Sequence, residues 1–157
     1  MQENIWLFKN VVVNQPPENY IGFVYVITNL TNGKKYIGQK QMFRTKTLPP
    51  LKGKPRKRKS VVESDWRKYS GSCKALNEDI ANGDVIKKEI LRFCSSKSSL
   101  TYFELKEQMK ADAMFREDYY NGIINIRLSS TCNNNIMKDS IYYDEDAILK
   151  AMAISNS

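Results

Sequence analysis

The run from Phe23 to Asn29 carries apolar residues at both parities, with Phe23, Tyr25 and Ile27 alternating with Val24 and Val26. A strand that is apolar on both faces is usually covered on both, which predicts a central place in a sheet with helices above and below. A second β-rich run, Lys35 to Gly38, follows a polar segment containing Asn32-Gly33, the strongest short-range hairpin signal. With Asn32 and Gly33 as a two-residue turn, Thr31 faces Lys34, and stepping outward sets Tyr25 opposite Lys40. Tyr25, Tyr36, Gly38 and Lys40 then share one face, an arrangement that survives an even slip of register and fails for an odd one.

On the N-terminal side, IWLF and VVV form an apolar patch broken by Lys9-Asn10 and closed ahead of Pro16-Pro17, which reads as an edge strand or clasp over 1–19. From Gln41 to Val62 the apolar period disappears. Pro49-Pro50, Gly53 and Pro55 interrupt this segment, and six of the eight residues Lys52 to Lys59 are Lys or Arg, so a mobile basic loop is expected. A loop of that length inside a compact domain points to function. Glu63 to Tyr69 reads as a short helical turn, and Ser72 as the cap of a helix from Cys73 to Ala81 that Asn82-Gly83-Asp84 stops. Val85 to Phe93 reads as a strand anchored by Ile86, Ile90 and Phe93, although its periodicity also admits a helix. Ser98 or Ser99 then starts a helix offering Leu100, Phe103, Met109 and Met114 to the core. After Asp118 to Gly122 comes a short apolar run, Ile123 to Leu128, then a polar loop, Ser129 to Asn135, and a last amphipathic helix from Asp144, its N-cap, to Ile154.

This order predicts an α/β (α+β) fold with a small, mainly antiparallel three-stranded sheet, an N-terminal hairpin and flanking helices. The expected divisions are the clasp over 1–19, a central domain over 20–130 with a basic insertion at 41–62, and a C-terminal loop and helix over 131–157.

Composition sharpens the chemistry. The 157 residues hold 25 Lys and Arg against 17 Asp and Glu, a net charge of +8 that favours polyanionic partners. There is no histidine. Ser-His-Asp, Cys-His and His-metal designs are thereby removed, and catalysis must run on Tyr, Lys, Arg, Glu and Asp. Cys73, Cys94 and Cys132 are odd in number and never in a C-x-x-C pair, so neither a zinc site nor a disulfide framework is expected, and reduced thiols in a cytoplasm fit. MQENIWLFKN lacks the form of a signal peptide, and no run approaches the ~20 apolar residues of a membrane span, so a cytoplasmic location without a membrane partner is expected.

Gly22-Phe23-Val24-Tyr25 and Tyr36-Ile37-Gly38, with tyrosines eleven positions apart (36 minus 25), resemble the signature of the GIY-YIG endonuclease superfamily. The second half matches to the letter; the first departs, because Tyr25 follows Gly22-Phe23-Val24 and not Gly-Ile directly. The likeness extends more loosely through WRKYSGS, YFELKEQ and EDYYNG to about Ile126, and is nearest to the phage-borne branch of homing-type, Seg-like enzymes.

That resemblance implies hydrolysis of DNA phosphodiesters with Mg²⁺ or Mn²⁺ on a three-stranded sheet flanked by helices. It implies Tyr25 and Tyr36 as the paired tyrosines, Glu104 as the metal ligand with Glu107 as alternative, and Asn121 as the asparagine that follows, with Asn125 as alternative. The family's arginine stands about two helical turns past the second-strand glycine, where this chain has Lys46. Arg44, two residues short of it, is preferred for the role, with Lys46, Lys40 or Arg67 as the other candidates. A phenol with pKa near 10 serves as a base only when a cation lowers it, and Lys40, Lys34 or Lys35 is expected to do so. Lys46, Lys52, Lys54, Arg56, Lys57, Arg58, Lys59 and Arg67 are expected to hold phosphates without reading bases. Trp66, Tyr69 and Tyr119 could stack on bases, with core packing the better expectation for each.

Each assignment has a plainer counterpart: strand tyrosines as core aromatics, a helix glutamate as a solvated side chain, Asn121 as a turn residue, the basic run as a solvated surface. Two classes of function follow. One is an endonuclease on double-stranded DNA, monomeric or homodimeric; the other is a nucleic-acid-binding or inhibitory protein that kept the fold and lost cleavage.

Overall fold

In the computed structural model, which describes residues 4–122, 128–129 and 133–156, the two-faced run becomes β3 (Gly22–Asn29). It pairs antiparallel on one side with β4 (Lys35–Gln41) and on the other with β7 (Ile86–Cys94). Both of its faces are buried. Phe23, Tyr25 and Ile27 pack with Trp6, Trp66, Ile90 and Phe93 under α1 (Lys74–Ala81) and α4 (Glu145–Asn156), while Val24 and Ile37 pack under Leu100 and Phe103 of α2 (Lys97–Lys110). The apolar double parity of the sequence therefore has its expected cause, helices on both sides of an interior strand.

The hairpin register is two residues off the expected one: Tyr25 faces Gly38, not Lys40. The Asn29 side chain explains the slip, because its Oδ1 accepts the amides of Thr31 at 2.9 Å and Asn32 at 3.3 Å. This local bonding widens the connection to residues 30–33, closed by the Asn29 amide donating to the Lys34 carbonyl at 2.7 Å. The slip is even, so the shared face of Tyr25, Tyr36 and Gly38 stands.

The pairing of β3 with β7 shifts between Val24, opposite Arg92, and Tyr25, opposite Ile90, which leaves Leu91 as the extra residue of a β-bulge. The bulge turns Ile90 and Phe93, three positions apart, onto the same face. It also accounts for the helix-like spacing of the strand's anchors.

The main sheet has five strands, not three. β1 (Trp6–Phe8) runs parallel to β7, and β2 (Val11–Val12) pairs antiparallel with β1, giving the order β2-β1-β7-β3-β4. The added strands cover an edge of β7 that a three-stranded sheet would leave open.

The segment expected as a mobile basic loop is instead an antiparallel ribbon of β5 (Phe43–Leu48) and β6 (Arg58–Glu63), paired from Phe43 with Glu63 to Leu48 with Arg58. Its β-branched residues Thr45, Thr47, Val61 and Val62 sit in the strands, while the prolines and Gly53 fall in the connecting tip. Glu63 closes β6 and is not the start of a helical turn; the turn occupies 65–68.

Other boundaries move for local reasons. Cys73 stands at the N-cap of α1 with no side-chain cap bond, because Ser72 faces the Tyr36 phenol instead. Ser96, and not Ser98 or Ser99, caps α2 by accepting the Ser99 amide at 3.1 Å. Met109 and Met114 are exposed and outside the core. Asp144 caps α4 as expected, accepting the Ala147 amide at 3.1 Å. α3 (Asn133–Ile141) takes in part of the expected polar loop. The alternative Asn125 and all but the last residue of the run Ile123 to Leu128 lie outside the described residues.

Candidate active site

The hairpin carries two tyrosines with different surroundings. Tyr25, on β3, is 1% exposed, with its ring centroid 6.2 Å from those of both Tyr36 and Tyr69. Burial pushes its phenol far above the ordinary range, helped by the neighbouring phenols of Tyr69 and Tyr36. Tyr36, on the edge strand β4, keeps partial exposure, and its Oη lies 3.5 Å from Ser72 Oγ. Burial raises its pKa too, a bond with Ser72 works against that, and the charge of Glu104 adds to the rise. The expected lowering by lysine is absent. Both phenols are protonated at neutral pH in the free protein.

Two glycines make this pair possible. A Cβ at Gly38 would stand 2.5 Å from Tyr25 Oη and 3.1 Å from Tyr36 Cε1. Gly71, at φ +95°, brings the loop between Tyr69 and Ser72 against the same two rings, its own Cβ position 3.4 Å from Tyr25 Oη. The phenols therefore lie between two stretches of backbone, with Tyr36 the one open to solvent.

The carboxylate reaches the site from the other side of the sheet. Gln39 has the opposite parity to Gly38 and points toward α2, where its Nε2 donates to Glu104 Oε2 at 2.7 Å. Gln108 Nε2 donates to Glu104 Oε1 at 3.1 Å. Burial raises the Glu104 carboxyl above its usual range, with the Gln39 bond pulling the other way. β4 is the last strand of the sheet, and Glu104 and Tyr36 reach it from opposite faces. Among the described residues no cation lies in ion-pair contact with Glu104; both recorded donors are neutral carboxamides. Glu107, one turn along, lines a cavity of about 360 Å³ with Lys35, Lys110, Arg116 and Tyr119 that includes neither Tyr25 nor Tyr36.

Asn121 holds the strand that carries the motif. Its Oδ1 accepts the Ile37 amide at 2.9 Å and its Nδ2 donates to the Ile37 carbonyl at 2.8 Å, so one carboxamide replaces a neighbouring strand on the edge of β4. Backbone bonds between Lys35 and residues 118 and 120 continue this cover. The contact sits between Tyr36 and Gly38. It gives Asn121 a positioning part through Ile37.

The candidate cations separate clearly. Lys40 donates to Asp65 Oδ1 at 2.7 Å, with its Nζ 4.1 Å from the Tyr69 ring centroid. Arg44 is exposed on β5, and its charge together with that of Lys40 lowers the Asp65 carboxyl, the Lys40 bond being the larger cause. Arg67 is committed within the protein: it pairs with Glu63, donates to the Asn14 carbonyl at 2.8 Å and stacks 4.6 Å from the Trp66 ring. Lys46 lies exposed on the ribbon, and Lys52, Lys54, Arg56, Lys57, Arg58 and Lys59 are exposed on its tip and far strand. Trp66 is fully buried.

Sequence reasoning did not single out Gln39, Asp65, Gly71 or, as a neighbour of the phenol, Ser72. Gln39 was readable from strand alternation, since the residue after Gly38 must face α2. Ser70-Gly71-Ser72 reads as an ordinary turn, and nothing local says that it folds over Tyr36.

Two phenols and a half-buried carboxylate, gathered at the edge of a sheet by a glycine-dependent hairpin and with no histidine, are the parts of a phosphodiester hydrolase. Residues 6–124 match the family model described as "Putative endonuclease segE, GIY-YIG domain". The chain belongs to the GIY-YIG endonuclease family, in its Seg-like branch, and is a nuclease hydrolysing phosphodiester bonds. No curated protein and no solved structure matches it.

Proposed function

We propose that the protein is a divalent-metal-dependent endonuclease acting on double-stranded DNA, of the phage-borne homing or DNA-degrading kind found in the Seg-like branch. The observation that carries the reading is Glu104: a partly buried carboxylate across β4 from Tyr36, close enough for its charge to raise the phenol, with neutral donors and no ion-pair partner among the described residues. A buried charge of that kind is costly unless a cation completes it.

Mg²⁺ or Mn²⁺ fits that donor set. Mg²⁺ takes one or two carboxylates plus substrate phosphate and water and does not need an all-protein cage, which agrees with the absence, among the described residues, of any group of three or more His, Cys, Asp or Glu able to hold a metal. Glu104 would hold the ion, and when bound the ion supplies positive charge to the phosphate and lowers the pKa of an attacking water. The chain's own residues do the rest. Tyr36, open to solvent and beside Ser72, takes the proton of the attacking water on its phenol oxygen as its own proton passes to solvent, while Tyr25 packs beneath it and fixes its ring. Lys40 or Arg44 meets the phosphate charge, Lys40 as a point donor once it leaves Asp65. Asn121 and Gln39 keep β4 and the carboxylate in place. Cys73 and Cys94 are free thiols, which suits a cytoplasmic setting, and no helix among the described residues is long and apolar enough to cross a membrane.

The test uses supercoiled and linear duplex DNA with Mg²⁺ or EDTA. Metal-dependent nicking that falls by at least about 10²-fold in Tyr36→Phe and Glu104→Ala is expected. Binding without metal-dependent cleavage in the wild type would overturn the nuclease reading and leave a DNA-binding or inhibitory protein.

A further inference from the structure

The positive charge of this protein is concentrated in one element. Residues 43–63, the ribbon β5–β6 and its tip, hold eight of the 25 Lys and Arg but only one of the 17 Asp and Glu, Glu63, so this element carries +7 of the net +8. Register divides the ribbon into two unlike faces. Arg44, Lys46 and Leu48 share one with Val62, Ser60 and Arg58; Phe43, Thr45 and Thr47 share the other with Glu63, Val61 and Lys59. Thr45, Thr47 and Val61 make a small, uncharged and exposed centre on the second face, Val61 to 72%, flanked by the charged side chains of Lys59 and Glu63.

A ribbon that only neutralised phosphate would have no use for an open face of hydroxyls and methyls. Those groups are what base edges in the major groove accept: hydroxyl donors and acceptors, and methyls that meet the thymine methyl. A two-stranded ribbon fits a groove about 12 Å wide, where all four base pairs present distinct edges. We propose that β5–β6 lies in the major groove of duplex DNA with Thr45, Thr47 and Val61 against the base edges, and with the cations of the tip and opposite face on the flanking phosphates. The inference rests on the duplex-DNA reading above and replaces the expectation that this segment binds phosphate without reading bases.

The base of the ribbon is fixed to the catalytic hairpin. Fully buried Met42 joins β4 to β5 and donates its amide to the Ile21 carbonyl at 2.7 Å. Ser64, at the end of β6, donates its amide to the Met42 carbonyl at 2.8 Å and its hydroxyl to the Gln41 carbonyl at 2.6 Å. Six residues of strand reach about 20 Å, or roughly six base pairs at 3.4 Å each. Recognition and cleavage should therefore fall within about six base pairs of each other.

The test is a binding selection from a randomised duplex pool, run with Tyr36→Phe so that bound DNA is not cut. The selected pool should prefer particular bases at a few adjacent positions. Adding Thr45→Ala, Thr47→Ala and Val61→Ala should weaken that preference at least tenfold while leaving the salt dependence of binding unchanged, since none of the three is charged. Adding Arg56→Gln and Lys57→Gln should instead weaken every sequence alike and lower the salt slope by roughly two. A wild-type-like preference in the triple variant, or binding without any base preference before it is made, overturns the proposal. Failure of wild-type cleavage with ribbon-dependent selection intact counts against the nuclease reading alone, and failure to bind duplex overturns both.

Discussion

Gly38 lies directly opposite Tyr25 in the hairpin, and a methyl group there would stand 2.5 Å from the Tyr25 phenol oxygen. The second glycine of the motif is thus set by the first tyrosine. Tyr25 is held in the packed core and cannot move aside cheaply, so the strain falls on the partly exposed Tyr36 ring. Gly38→Ala should cost about 1–3 kcal/mol, the range for forcing an extra methyl into a filled space, read by urea denaturation. Displacement of the Tyr36 ring should lower cleavage at least tenfold even at temperatures where the variant is folded.

Glu104 is held against the preference of folding. Its folded-state pKa is raised, chiefly by burial, so the stability it contributes is fully present below its unfolded pKa and is lost as pH rises through the folded value. At neutral pH the ionised group is a net cost, and a permanently neutral isostere avoids it. Glu104→Gln should abolish metal-dependent cleavage and raise the melting temperature by a few degrees at pH 7, the Gln39 amide turning over to meet the new donor. The gap between the two proteins should close below pH 4, where wild-type Glu104 is protonated in both states. A variant that loses activity and stability together would mean that Glu104 is structural.

Much of this site follows from period alone. The apolar double parity of Phe23 to Asn29 gave a central strand, and an even register slip kept Tyr25, Tyr36 and Gly38 on one face. What escaped the sequence was decided by contacts distant in the chain. The bulge at Leu91 makes Ile90 and Phe93 share a face, so a strand there carries a helical spacing. The ribbon was hidden because prolines and lysines dominate its composition, although the residues with β-propensity are confined to its strands. Asn121 reads equally as the asparagine the resemblance implies and as a turn residue, and neither reading tells that Ile37, 84 positions away, bonds both ends of its carboxamide.

Asp65 occupies Lys40 at 2.7 Å and lies near enough to Arg44 for both cations to lower its carboxyl. The pair is open to solvent on the Asp65 side, where such contacts contribute about 0–1 kcal/mol. Asp65→Asn should leave the melting temperature nearly unchanged. It removes a negative charge from the phosphate path, so affinity for non-specific duplex at moderate salt should rise several-fold, measured by fluorescence anisotropy. Lys40→Gln should lower the cleavage rate more than it lowers affinity, whereas Lys52→Gln on the tip should lower affinity alone.

Lys88 links stability to pH at the back of the site. Its ammonium donates to the Tyr69 carbonyl at 2.8 Å, the Arg67 carbonyl at 3.3 Å and the Asn4 side chain, and lies 4.4 Å from the Trp6 ring centroid. Burial lowers its pKa from 10.5 to about 8. A lysine depressed in the folded state contributes stability present above its unfolded pKa and lost as pH falls through the folded one, so stability should rise from pH 8 upward. At 1.36 kcal/mol per pH unit, the full window to pH 10.5 is worth on the order of 3 kcal/mol. Cys94 opposes this above pH 9, because burial pushes its thiol up to about 12 in the folded protein while the unfolded thiol ionises. The gain is therefore cleanest between pH 8 and 9. Comparing urea unfolding of the wild type and Lys88→Met across that unit should show the wild type gaining on the variant as pH rises, and equal slopes would mean that Lys88 keeps an ordinary pKa in the fold.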